Sequence, residues 1–209
     1  MYASALDIFG VFIFALSGGM RGVECRLDVF GVVFLAFASA VAGGLMRDLI
    51  IGATPPAAFA TWHYLVASTV AGVCCYASYR YVARLTMAVS VFDAIGMGVY
   101  SVVGAEKALS YGLPPLMAAV LGMVSAIGGG MARDLLTART PMVLRTDIYA
   151  VAALLGGMIV AFGMANGFAY EWLAPLGAIV SIGLRLMALW RNWSLPPAPL
   201  SGSERSGAE

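Results

Sequence analysis

One short stretch of this chain occurs twice, and it is a poor fit to any soluble helix. The first copy runs Ser39-Ala40-Val41-Ala42-Gly43-Gly44-Leu45-Met46-Arg47-Asp48-Leu49. The second runs Ser125-Ala126-Ile127-Gly128-Gly129-Gly130-Met131-Ala132-Arg133-Asp134-Leu135. Each is an apolar run interrupted by adjacent glycines, with an Arg-Asp pair close behind. A shift of 86 residues also carries Ser4 onto Ser90, Asp7 onto Asp93, Gly10 onto Gly96, Gly18 onto Gly104 and Leu35 onto Leu121. The same shift carries Thr54-Pro55 onto Thr140-Pro141. One ungapped offset over that distance marks an internal repeat.

Composition decides the medium. The chain is 61% hydrophobic and 11% charged, with a mean hydropathy of +0.90. An ordinary soluble domain carries about 25% charged residues, so an all-α integral membrane protein is expected. A net charge of +1 supplies no field that would draw nucleic acid. Cys25, Cys74 and Cys75 lack metal-ligand spacing and read as small apolar residues. No basic region precedes the first apolar run and Asp7 interrupts it early, so the first segment is expected to remain as a span rather than be cleaved.

Spans of about 20 apolar residues cross a bilayer. Seven fit, at roughly 4–20, 29–50, 60–80, 89–106, 114–136, 146–165 and 172–190. Repeat one takes about 1–80, repeat two about 87–166, and the seventh helix stands outside both. Three spans per unit is an odd number, so the second unit enters from the opposite face. The expected architecture is an inverted repeat within a single membrane domain, 1–193. Such repeats place transport sites near mid-membrane, where the halves meet. The tail 194–209, rich in Pro, Ser, Gly and Glu, is expected to be disordered.

Arginines sort the span ends. Arg21, Arg26, Arg80, Arg84, Arg139, Arg145 and Arg191 collect on one side, with Lys107 and Arg47 near the other. The positive-inside rule makes the first side cytoplasmic, with the N-terminus outside and the C-terminus inside a plasma (inner) membrane. Trp62, Tyr64, Trp172, Trp190 and Trp193 fall near span boundaries as an aromatic belt.

The glycines admit two readings. Adjacent glycines weaken a helix and invite a kink or an unwound turn, whose carbonyls would face a water-filled path. Equally, small residues let helices pack closely. Matched breaks in two inverted halves favour a pathway, with Gly43, Gly44, Gly128, Gly129 and Gly130 at the bends and the hydroxyls of Ser39 and Ser125 beside them. Ser68/Gly72 and Ala153/Gly157 are spaced for close packing.

Charges within spans need partners. Antiparallel neighbours place Asp7 at the depth of Arg47, and Asp93 at that of Arg133. Asp7–Arg47 and Asp93–Arg133 are therefore expected as ion pairs near the two mouths. Asp48 and Asp134 project about 100° from their neighbouring arginines, toward passing cations, other partners or the headgroups. Glu106 and Lys107 read as interfacial, and Arg185 as snorkelling inward. His63, the lone histidine, falls at an interface. No Ser-His-Asp set, phosphate loop or zinc signature is present in the sequence, so neither an enzyme nor a cofactor is expected.

Seven spans as three plus three inverted plus one, with glycine-Arg-Asp motifs in spans two and five, resemble the TRIC family of trimeric intracellular cation channels. The resemblance covers about residues 1–193. It implies a homotrimer in membrane lipid, with an hourglass pore in each subunit lined by the second and fifth helices. It implies permeation of potassium, with sodium and a bound lipid left open and no other metal. Ala42 departs from a triple-glycine pattern, so the first bend is expected to be milder. The resemblance extends to small bacterial proteins labelled glycine transporters, which leaves a carrier of a glycine-like solute as the alternative.

Overall fold

The computed structural model describes residues 2–82, 87–144, 148–191 and 193. Arg84, Arg145 and the tail 194–209 lie outside the described residues. The long helices are α1 (Tyr2–Glu24), α2 (Val29–Ile50), α3 (His63–Ala77), α4 (Ala88–Ser110), α5 (Pro115–Leu136), α6 (Ile148–Ala165) and α7 (Tyr170–Arg191). Short helical turns follow α2 (Ala57–Ala60), α3 (Tyr79–Val82) and α5 (Met142–Leu144). Six of the long helices have the length and hydropathy to span a bilayer, and α3, at 15 residues, is shorter. The protein is an all-helical, multi-pass membrane protein.

Local chemistry sets the helix ends. Asp28 caps α2 by accepting from the Gly31 amide at 2.7 Å. Pro115 opens α5, where its missing N–H costs nothing. Gly112 and Gly167 adopt positive φ in the turns after α4 and α6.

α1 packs on α2, α3 and α4, while α4 packs on α5, α6 and α1; α2 lies along α5, and α7 covers α4 and α6. Large apolar side chains such as Phe30, Ile50, Leu135 and Ile179 face outward, as lipid-facing residues do. The interior holds mostly alanine, valine, glycine and serine, together with Arg47, Arg133 and Arg185.

The expected unwound turns are absent. α2 and α5 run without interruption through both glycine clusters. The glycines serve contact instead. A methyl group at Gly43 would collide with the Ser125 carbonyl, and one at Gly129 would lie 2.5 Å from the Ser39 carbonyl. A methyl at Gly128 would lie 2.8 Å from the Gly43 Cα. The two backbones touch, and only glycine permits that approach.

Contacts come in reciprocal pairs at the repeat offset. Gly10 meets Tyr100 as Gly96 meets Phe14, and those two rings pack edge-to-face with centroids 5.3 Å apart. Gly18 meets Ser39 as Gly104 meets Ser125. Gly72 packs on Val33 as Gly157 packs on Ala119, so these small residues pack within the subunit. The last correspondence is offset by 85 residues, one fewer than upstream.

Candidate functional site: two buried arginine clusters

The first cluster forms at the end of α2. Arg47 is 1% exposed, and its Nε donates to Asp48 Oδ1 at 2.9 Å. Lys107 Nζ, from α4, donates to the same oxygen at 2.8 Å. Asp48 Oδ2 accepts from the Ala57 amide at 2.9 Å. Asp48 thus ties the last turn of α2 to α4 and to the short helix that follows.

Asp7 lies beside this cluster without joining it. Its Oδ2 accepts from the Tyr64 hydroxyl at 2.6 Å, while Oδ1 and Arg47 Nη1 are buried without a hydrogen-bond partner. Between them is a cavity of about 10 Å³ lined by Asp7, Arg47, Asp48, Tyr64 and Tyr100. That is room for one water. The expected Asp7–Arg47 ion pair does not form.

The second cluster forms at the end of α5. Arg133 Nε donates to Asp134 Oδ1 at 2.9 Å, and Asp134 Oδ2 accepts from the Met142 amide at 3.0 Å. These bonds repeat those of Arg47, Asp48 and Ala57. Here the guanidinium goes further. Its Nη1 donates to Asp93 Oδ1 at 2.5 Å and to Ser17 Oγ at 2.6 Å. Ser17 Oγ in turn donates to the Val89 carbonyl at 3.1 Å. The structure therefore brings Asp93 and Arg133 together. The reason lies in one repeat position: Ser17 draws Arg133 toward Asp93, and its counterpart Val103 offers Arg47 nothing polar.

Several expectations are corrected by these contacts. Asp48 and Asp134 do not point away from their neighbouring arginines but bind them, because a long guanidinium can fold back to a carboxylate one residue on. Lys107 is not merely interfacial, since it is held on Asp48 with 23% of its side chain exposed. Tyr64 belongs to Asp7 rather than to an aromatic belt. Arg185 is 1% exposed rather than snorkelling, with its guanidinium carbon 4.7 Å from the Tyr149 ring centroid.

Between the clusters, Phe14, Tyr100 and the glycine contacts of α2 and α5 fill the centre. The Tyr100 hydroxyl donates to the Ala40 carbonyl at 2.9 Å. Ser39 bonds back to the Leu35 carbonyl at 2.6 Å, and the Ser125 hydroxyl is buried without a partner. Beyond the second cluster a cavity of about 390 Å³ is lined by Arg21, Asp134, Arg139, Thr140 and Met142. Among the described residues, no group of His, Cys, Asp and Glu is placed to hold a metal ion.

Comparison with known proteins fits this arrangement. The family described as Glycine transporter matches twice, over residues 4–80 and again over 90–165. An Escherichia coli K12 protein named UPF0126 inner membrane protein YadS is 33% identical over 202 residues, covering 96% of this chain and 98% of its own length. A UPF0126 membrane protein of Vibrio cholerae is 34% identical, covering 94% of this chain and 82% of its own. A solved TRIC trimeric intracellular cation channel orthologue from Rhodobacter sphaeroides superposes with a TM-score of 0.88 at 31% identity, covering 92% of this chain and 99% of its own. The chain belongs to the TRIC family. A crystal structure of a prokaryotic TRIC channel in 0.5 M KCl superposes with a TM-score of 0.86 at 32% identity, covering 93% of this chain and all of its own.

In this TRIC chain, sequence reasoning located the arginines and aspartates but missed Ser17, Tyr64, Tyr149 and Arg21. Two of these were legible in retrospect. Arg21 aligns with Lys107 at the 86-residue offset, and Tyr149 aligns with Tyr64 once the one-residue slip is allowed. Ser17 carried no signal, because its counterpart Val103 differs in chemistry.

Proposed function

We propose that this protein is a monovalent cation channel conducting mainly potassium, working as a homotrimer with one hourglass pathway per subunit. The observation that carries this reading is the superposition of nearly the whole chain on TRIC channel structures at over 30% identity. In this reading α3 spans with the other six helices. Two three-helix units are related by a two-fold axis in the membrane plane, and α7 stands apart. The Phe14–Tyr100 ring pair and the reciprocal glycine contacts support that axis. Arg21, Arg26, Arg139 and Arg191 then mark the cytoplasmic end, which puts the N-terminus outside.

The Arg47 cluster is the outer mouth of this pathway and the Arg133 cluster the inner mouth. The waist is the crossing of α2 and α5 at Gly43, Gly44, Gly128, Gly129 and Gly130, with Ser39 and Ser125 on either side. In the present conformation the waist is closed by backbone contact. Glycine surfaces can part without dragging side chains through the path, which suits a gate. Asp7, Asp48, Asp93 and Asp134 concentrate cations at the mouths, while Arg47 and Arg133 hold them in place.

Current across a planar bilayer in asymmetric potassium chloride tests this. Unitary steps reversing toward the potassium equilibrium potential are expected, and reversal toward the chloride potential would overturn the cation reading. One observation favours a carrier: the outer cavity is sealed while the inner one is open, as in an alternating-access state. Electrical silence together with saturable glycine uptake in the same liposomes would establish that alternative.

A further inference from the structure

The two mouths contain one unmatched contact. At the outer mouth Lys107, near the end of α4, crosses to Asp48 on α2 at 2.8 Å, and the cavity there is about 10 Å³. The repeat offset carries Lys107 onto Arg21 near the end of α1, and Asp48 onto Asp134 on α5. The equivalent contact would be Arg21 to Asp134. Both residues line the same inner cavity of about 390 Å³ and are not bonded across it. Arg21 Nη1 instead donates to Glu24 Oε2 at 2.6 Å, one turn along α1. The counterpart of Glu24 is Ser110, which has no charge to offer Lys107 and donates to the Lys107 carbonyl at 2.8 Å.

We infer that Arg21 is the latch of the inner mouth and that Glu24 holds it open. When Arg21 leaves Glu24 it closes on Asp134, as Lys107 closes on Asp48. An arginine is as long as a lysine and forks to a carboxylate in two ways, so the equivalent backbone geometry brings it within reach. The outer mouth lacks a residue in the role of Glu24, which is why it is shut here while the inner mouth is open. The two states differ by an exchange of one carboxylate for another on a single guanidinium, with no change in the number of ion pairs. Such an exchange is poised near balance, and small changes in either partner shift it.

The latch rests on the channel reading for its role in flux, and its geometry is tested without flux. The reporter is Met142→Cys on the inner cavity wall, in the full chain carrying Cys25→Ser, Cys74→Ala and Cys75→Ala, in lipid nanodiscs. Labelling by a charged, membrane-impermeant methanethiosulfonate is followed by intact mass. Glu24→Gln should slow labelling about tenfold as Arg21 moves to Asp134. Adding Arg21→Met should restore the original rate, because nothing remains to close. Unchanged labelling in E24Q, or slow labelling that persists in the double variant, would overturn the latch.

Ser110→Glu supplies a second, independent test. It installs the missing holder at the outer mouth, so a reporter at Ala58→Cys should label faster as Lys107 leaves Asp48. An unchanged rate there would overturn the proposal that a glutamate at this position holds the latch. If the labelling pattern holds while the wild-type protein passes no current, the channel reading fails and the latch stands.

Discussion

At Arg133 the guanidinium reaches three partners, Asp93, Asp134 and Ser17; at Arg47 it reaches Asp48 alone. Both arginines are buried, both follow the same glycine motif, and both aspartates tether the next segment through a backbone amide. The difference follows from the residues around them. Ser17 on one side faces Val103 on the other, and Lys107 is engaged where Arg21 is held back. The two sequence copies share one motif. Where neighbouring positions diverge, the second site becomes an anchor that joins its arginine to Asp93, Asp134 and Ser17, and the first a looser site in which Asp7 and Arg47 stay apart; each site keeps one carboxylate oxygen and one guanidinium nitrogen without a hydrogen-bond partner.

The largest test of that contrast removes the carboxylates. Asp93→Ala strips a buried arginine of a partner and should cost about 3–5 kcal/mol. Asp7→Ala loses one hydrogen bond from Tyr64 and should cost about 1–3 kcal/mol. Thermal unfolding in detergent compares the two, and equal losses would erase the distinction between anchor and loose site.

The glycine crossing comes next, and here the halves should behave alike. Gly43→Ala and Gly129→Ala each press a methyl group on a carbonyl of the facing helix, and should each cost about 1–3 kcal/mol through overpacking. A large disparity between them would show that the crossing is not symmetric. Ser17→Ala, which removes a donor–acceptor bridge from Arg133, should cost about 1 kcal/mol. Lys107→Met breaks a partly exposed pair and should cost less than about 1 kcal/mol. Its signature is faster labelling at Ala58→Cys rather than lost stability. The smallest effect is expected at Gly44→Ala. The nearest atom to the new methyl is Tyr100 at 3.6 Å, so better helix propensity should leave stability unchanged or raised by up to about 1 kcal/mol.

Much of this molecule was legible before any coordinates. The segment pattern, the repeat and the residues of both clusters follow from hydropathy and one offset. Several readings did not survive the packing, and three show why. Gly43-Gly44 and Gly128-Gly129-Gly130 looked like helix breaks because glycine is a weak helix former. Gly43, Gly128 and Gly129 proved to be contact surfaces, because each is roofed by the backbone of the other helix, while Gly44 and Gly130 face side chains. Asp7 and Arg47 looked like a pair because their depths match, yet matching depth does not set rotamer or competing partners. Lys107 looked interfacial because it ends a helix, and only the crossing of α4 over α2 revealed its carboxylate.

The sequence by itself determined the medium, the helices, the internal duplication and the presence of charges that must be satisfied inside the protein. Those properties are local or periodic, and a bilayer leaves a chain of this hydropathy few alternatives. Tertiary structure alone decided which charge meets which, that glycines of α2 and α5 bring those helices into contact, and that the cavity beside Arg47 is small while the one beside Asp134 is large. Such choices depend on side chains within a few ångströms of each other across different helices, and on single differences between the repeats, such as Ser17 against Val103 and Glu24 against Ser110. Equal motifs do not carry that information, because the energy of a buried ion pair is set by the neighbours that complete it.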